Sequence, residues 1–226
     1  MRINYNYASI DVGSNSINLL LAFIENNKVK TEETVSYITG LGKELSKTGL
    51  FSEAGMKSAY RSFEQIQQKI YEYNIEKKNV ICVATEASRV ANNSKDFFQT
   101  IRRDFNINTQ IISAEEEARL SVLGVVPESA SDTLILDLGG ASTELIYFSN
   151  GQISEFKSFK IGSVNISPDY NTNDVVKFCQ DNPFNEHVVL VGGTAVTAAI
   201  TYLKDNNFNA DKINNLDITL KEFEEL

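Results

Sequence analysis

Asp11 and Asp137 each close an apolar run and each stand two residues before a glycine, Gly13 and Gly139. A single D-x-G is adequately explained as a turn, since a short acidic side chain hydrogen-bonds its own backbone. Here the setting repeats. Tyr7 to Ile24 (YASIDVGSNSINLLLAFI) and Thr133 to Asn150 (TLILDLGGASTELIYFSN) match at a constant offset, so that Asp11, Gly13, Ser16 and Leu19 recur as Asp137, Gly139, Ser142 and Leu145. The first turn is Gly13, Ser14, Asn15 and Ser16; the second is Gly139, Gly140, Ala141 and Ser142. Backbone amides in such small-residue turns reach phosphate oxygens without side-chain obstruction, so two of them face to face would clamp a phosphate chain. Glu144 opens the returning strand of the second copy, where alternation lets it point back toward the cleft. Asp137 and Glu144 are therefore candidate oxygen ligands of Mg²⁺, with Asp11 as the corresponding acid of the first copy.

Three further groups carry chemistry together with a plainer reading. Ser113-Ala114-Glu115-Glu116-Glu117 has capping-box spacing between Ser113 and Glu116, and acids in a first helical turn favour the positive end of the helix dipole. Glu117 has no part in that cap. It is a candidate general base on a semi-apolar face with Leu120, Ser121 and Gly124, or one more acid at a helix start. Arg89 either makes a forked phosphate contact or lies on the surface. Gly192-Gly193-Thr194 ends a strand and either contacts phosphate or nucleotide or allows close helix–strand packing.

The elements that must position these residues follow the repeat. After the first hairpin come a strand over Val29 to Ile38, a loop punctuated by Gly40, Gly42 and Gly49, and a helix from about Glu53 to Tyr73 capped by Ser52. Ala54, Met56, Ala59, Phe63, Ile66 and Ile70 form its apolar stripe. A strand at 79–84, helices near Ser94 to Asp104 and from Ala114, and a strand over Thr109 to Ile112 complete a β-β-β-α-β-α-β-α order. The second lobe restarts at Thr133 and stops early, lacking a counterpart of the last strand and helix. The expectation is an α/β chain of two similar lobes, 1–126 and 127–226, joined through Pro127 to Asp132.

Composition excludes several classes. The 226 residues are 42% hydrophobic, enough for ordinary cores, and the net charge of −9 with no basic block disfavours nucleic acid as a partner. A polyanionic substrate would need locally focused positive charge or a divalent cation. No run suits a membrane span or a signal core, so the expected location is the cytoplasm. The single histidine, His187, opens a strand after a turn, which disfavours a histidine-based triad or metalloprotease site, and Cys82 and Cys179 read as thiols of the interior without a zinc or disulfide pattern. Neither a P-loop nor a G-x-G-x-x-G opening a helix is present.

Taken together, Ser9 to Ser16 (SIDVGSNS), Gly49 to Ala54 (GLFSEA), Ala84 to Arg89 (ATEASR), Ile112 to Leu120 (ISAEEEARL), Leu134 to Leu145 (LILDLGGASTEL) and Val191 to Thr194 (VGGT) resemble, in order, the motifs of the exopolyphosphatase/guanosine pentaphosphate phosphatase family, Ppx/GppA. The resemblance implies the actin/hexokinase/Hsp70-like superfamily: two ribonuclease-H-like lobes about a central cleft, the second shortened here. It implies Mg²⁺-dependent removal of terminal phosphate from polyphosphate or guanosine pentaphosphate, as in the stringent response. By position, Glu117 corresponds to the family's catalytic glutamate, Asp137 and Glu144 to the acids of its second phosphate motif, Arg89 to its phosphate-side arginine and Gly192 to Thr194 to its third motif. The departures are Ala141 for a usual glycine, Gly40 where many members carry arginine, and a short stretch between Gly162 and Gly192. A non-catalytic alarmone- or nucleotide-binding sensor of the same fold is the alternative, a kinase or ATPase a further one, and a homodimer stays open.

Overall fold

Alternating apolar residues make the first three strands: β1 (Tyr7–Val12), β2 (Ser16–Glu25) and β3 (Lys28–Ile38). Ala8, Ile10 and Val12 of β1 and Ile17, Leu19 and Leu21 of β2 are buried on one face, while Ser9, Asp11 and Asn18 lie on the other. The computed structural model describes residues 6–26, 28–126, 132–164, 166–167, 171–182, 187–204, 210–214 and 216–226.

A short helix α1 (Leu45–Thr48) leads to the long α2 (Glu53–Glu72). Ser52 caps α2 as its position predicts, its hydroxyl accepting the Gly55 N–H at 3.1 Å. The buried stripe starts at Gly55 rather than Ala54, which is exposed, and continues through Ala59, Phe63, Ile66 and Ile70. Gly55 is inside because a Cβ there would come within 2.9 Å of the Leu41 backbone. Strand β4 (Val80–Ala84), helices α3 (Glu86–Val90) and α4 (Ser94–Phe105), strand β5 (Thr109–Ile111) and helix α5 (Ala114–Val125) follow. The sheet order is β3-β2-β1-β4-β5, with β4 and β5 parallel to β1. Phe97, Phe98, Ile101 and Phe105 of α4 join the α2 stripe against the inner sheet face. Each such buried aromatic or aliphatic side chain is worth roughly 1.5–3 kcal/mol.

The second copy has β6 (Thr133–Leu138), β7 (Thr143–Ser149), β8 (Gln152–Phe159), α6 (Asn173–Asp181), β9 (His187–Val191) and α7 (Gly192–Leu203), then the short α8 (Ala210–Ile213) and α9 (Leu220–Glu224). Its sheet, β8-β7-β6-β9, repeats β3-β2-β1-β4 with the same parallel and antiparallel pairings. Among the described residues there is no equivalent of β5. Ile135 and Ile146 pack with Ala118 and Val122 of α5, and the opposite face, with Leu134, Leu145, Tyr147 and Phe159, packs with Val175 and Phe178 of α6. The fold is therefore the expected mixed α/β architecture, one ribonuclease-H-like sheet and a shortened copy. The chain divides into two compact units, Met1–Glu117 and Ala118–Leu226. Of the connector expected at Pro127 to Asp132, residues 127–131 lie outside the described residues. Among the described residues no helix is long and apolar enough to cross a membrane.

Candidate active site

The two turns are built alike. Gly13 donates its N–H to the Ser16 carbonyl at 2.9 Å, and Gly139 donates to Ser142 at 3.0 Å. In each copy the loop after the third strand then takes the turn's carbonyls. Thr39 and Gly40 donate to the Asn15 carbonyl at 2.8 and 3.0 Å, and Gly42 to Ser14 at 2.8 Å; Ser163 donates to Gly139 at 3.0 Å and Val164 to Gly140 at 2.8 Å. Tyr37 pairs with Ile17 and Phe159 with Thr143, so Gly40 and Gly162 hold equivalent positions beyond equivalent strand ends. In a planar trans peptide the C=O and the following N–H point opposite ways. Tying back these carbonyls therefore turns the N–H groups of Asn15, Ser16, Gly140 and Ala141 away from the loops. Among the described residues the N–H groups of Ser14 and Asn15 have no backbone acceptor. The Ser14 hydroxyl is buried without a hydrogen-bond partner, against Gly42. Gly162 is fixed by close approach: a Cβ would fall 2.5 Å from Gly140 C and O and 2.6 Å from Ala141 N.

Beside the second turn, Asp137 and Glu144 are direct cross-strand partners and so share a face. Glu144 is only 2% exposed and accepts the Ser158 hydroxyl at 2.7 Å. Asp137 accepts the Ser121 hydroxyl at 3.4 Å. Burial raises the pKa of Asp137, and the Ser121 bond opposes that rise. The first copy has the same row with one change: Ser36 donates to Asn18 at 2.8 Å and Asn18 to Asp11 at 3.5 Å. Asp11 thus faces an amide where Asp137 faces a second acid. Two adjacent inward carboxylates suit a hard cation that completes its shell with substrate oxygens and water. Among the described residues no three His, Cys, Asp or Glu side chains cluster as a complete ligand set.

Helix α7 begins at Gly192, two residues before the start predicted at Thr194. Gly192 has φ +90°, and a Cβ there would lie 2.7 Å from the Leu138 carbonyl oxygen and 3.1 Å from Asp137 Oδ1, so glycine lets the helix start abut the aspartate. Gly193 and Thr194 are exposed, and Val191 supplies no side-chain cap to this N-terminus.

The other candidates lie in the first unit. Ser113 accepts the Glu116 N–H at 3.2 Å, the capping role expected of that pair. On the face that helical spacing gives Glu117 with Leu120, Ser121 and Gly124, Leu120 is 39% exposed and Gly124 is exposed. The helix instead buries Ala118 and Val122, and the Glu117 carboxylate takes a hydrogen bond from Arg89 Nη1 at 2.9 Å. That nitrogen also donates to the Ile112 carbonyl at 2.8 Å, and Nε donates to Glu86 at 3.0 Å. Nη2 lies 2.9 Å from the same Glu86 oxygen, yet its N–H bonds are not aligned on it, leaving a buried donor without a hydrogen-bonded acceptor. An anionic oxygen would satisfy that donor. Cys82 is buried, its thiol pushed up to about 12 by burial, whereas Cys179 is exposed, contrary to the interior position expected of it.

Ser158 and Glu86, and the contacts made by Ser121 and the Gly162–Val164 loop, are not singled out by the sequence. Ser158 becomes visible only through strand register, and Gly162 through its equivalence to Gly40.

A profile of the Ppx/GppA phosphatase family matches residues 26–191. Among curated relatives, the bifunctional 3-dehydroquinate synthase/phosphatase of Fusobacterium nucleatum is 27% identical over 97% of this chain and 37% of its own length. The guanosine-5'-triphosphate,3'-diphosphate pyrophosphatase of Aliivibrio fischeri is 31% identical over 70% of this chain and 32% of its own. The chain thus spans about a third of the length of these relatives. The crystal structure of the Aquifex aeolicus Ppx/GppA family member covers 97% of this chain, and 76% of that chain is covered in return, at 25% identity and a TM-score of 0.76. An exopolyphosphatase from Cytophaga hutchinsonii shares the fold at 23% identity with a TM-score of 0.82, over 97% of this chain and 77% of that one. With the family profile spanning most of the sequence, including both acids of the second turn, the chain belongs to the Ppx/GppA phosphatase family.

Proposed function

We propose that this chain is a Mg²⁺-dependent phosphohydrolase that removes terminal phosphate from polyphosphate or guanosine pentaphosphate. The observation that carries the reading is the Asp137–Glu144 pair beside a turn whose carbonyls are tied back. Family membership and the A. fischeri relative support the choice of substrate class. Asp137 and Glu144 would hold the cation, which when bound supplies neutralisation of phosphate charge. The amides of the turn 139–142 receive phosphate oxygens and orient the terminal phosphate. Glu117 accepts a proton from water as the water oxygen bonds to the terminal phosphorus, and the bond from that phosphorus to the bridging oxygen breaks, leaving the shortened substrate with the electron pair. Arg89 orients Glu117 and offers its remaining Nη2 donors to a phosphate oxygen.

A sensor that binds without hydrolysis is the second reading, favoured by the ion pair that occupies Glu117. Phosphate release from short polyphosphate, guanosine pentaphosphate and ATP, with Mg²⁺ and with EDTA, separates them. Release from either of the first two in Mg²⁺ alone supports the enzyme; Mg²⁺-dependent binding without release supports the sensor.

A further inference from the structure

Glu86 has no part in the reaction as set out above, yet it touches the side chain that holds the proposed base. It opens α3 one turn before Arg89, and the Glu86, Arg89 and Glu117 side chains are only 16%, 19% and 18% exposed. The two edges of the Arg89 guanidinium are used differently. Nε is bonded to Glu86 at 3.0 Å, with Nη2 beside the same oxygen; Nη1 is bonded to Glu117 at 2.9 Å and to the Ile112 carbonyl at 2.8 Å. A guanidinium is planar and rigid, so holding one edge fixes the direction of the other.

We propose that Glu86 is a positioning residue for Glu117, acting through Arg89. The carboxylate of Glu86 fixes the Nε edge, and the Nη1 edge is thereby planted on Ile112 and Glu117. Without that anchor the flexible arginine stem turns about its torsions, and the Glu117 carboxylate loses the contact that sets its orientation. The inference rests on the reading of Glu117 as the base only for its kinetic consequence; the anchoring itself is independent of it. Glu86 is also distinct from a simple helix-surface ion pair of i,i+3 spacing, because its partner is shared with a residue at the start of another helix.

The test uses the full chain with Glu86→Ala, Glu86→Gln and Glu117→Gln. The first measurement is solvent exchange of the Arg89 Nε–H by nitrogen-15 NMR, which needs no activity. Exchange is expected to be slow in the wild type and in Glu117→Gln, and about tenfold or more faster in Glu86→Ala, which removes the acceptor. The second is the kinetics of phosphate release in Mg²⁺. For Glu86→Ala, kcat is expected to fall roughly ten- to a hundredfold with KM little changed, the signature of lost orientation rather than lost binding. Glu86→Gln keeps an acceptor and is expected to recover part of kcat. Equal exchange in wild type and Glu86→Ala, or a wild-type kcat in Glu86→Ala, overturns the proposal. If the wild type releases no phosphate the hydrolase reading fails, and the exchange measurement alone decides the role of Glu86. If Glu86→Ala does not fold, Glu86→Gln carries both measurements, with an intermediate exchange rate and kcat expected and wild-type values contradicting.

Discussion

Replacing Gly162 with alanine probes the second turn directly, because the added carbon would lie 2.5 Å from Gly140 C and O and 2.6 Å from Ala141 N. Non-bonded heavy atoms are comfortable at about 3.5 Å or more, so relief requires a displacement of about 1 Å. All three opposing atoms are backbone, and no side-chain rotation can absorb the shift. The peptide that moves carries an amide assigned to phosphate. A misplacement of that size costs about a hundredfold in rate, equivalent to about 2.7 kcal/mol of transition-state stabilisation. Overpacking separately costs about 1–3 kcal/mol of stability. Gly124→Ala is the control, since its Cβ meets nothing within 4 Å and the residue lies in α5. That change should stabilise by about 1 kcal/mol through helix propensity. The assay is kcat/KM for Mg²⁺-dependent phosphate release, with thermal melts of both variants. A Gly162→Ala protein with wild-type kcat/KM and melting temperature would refute the view that this loop holds the phosphate turn in place.

Two other outcomes follow from burial. Asp137 has its folded pKa raised above 3.8, so its ionisation costs native stability as pH rises from about that value through the folded pKa. In EDTA, Asp137→Asn should therefore raise the melting temperature at neutral pH while weakening Mg²⁺-dependent binding; the thermal gain should vanish as pH falls toward 3.8, and an unchanged or lower melting temperature at pH 7 argues against a net cost of ionising this buried acid. A thiol reagent should modify exposed Cys179 in the native protein and Cys82 only on unfolding, since burial pushes the Cys82 thiol from 9.0 up to about 12. The stability tied to Cys82 should be complete below pH 9.0 and decline as pH rises toward about 12; rapid native modification of both thiols would contradict this.

Much of this architecture was legible because strands and turns carry local signals. The alternation of Ala8, Ile10 and Val12, the Ser52 cap and the D-x-G turns all lie within short windows, and their repetition foretold the matching sheet orders. What escaped depends on register or on distant contacts. Ser158 reads as an ordinary strand serine until β8 is laid against Glu144, and Gly162 as an ordinary loop glycine until Val164 is seen bonded to Gly140. Helical spacing alone puts Glu117 on a semi-apolar face. That spacing says nothing of Arg89, whose guanidinium arrives from another helix. Likewise α7 starts early because glycine at Gly192 permits φ +90° and close approach to Asp137, a tertiary contact outside any local pattern.

The central claim is that this chain hydrolyses a phosphoanhydride with Glu117 as base, and comparison of wild type with Glu117→Gln tests it most directly. Glutamine keeps the size and polarity of the side chain and cannot take the proton. With guanosine pentaphosphate or short polyphosphate in Mg²⁺, the wild type should release phosphate and Glu117→Gln should turn over roughly a hundredfold more slowly or worse, while Mg²⁺-dependent substrate binding stays close to wild type. Equal turnover by the two proteins, or binding by the wild type with no phosphate released from either substrate, would contradict the account.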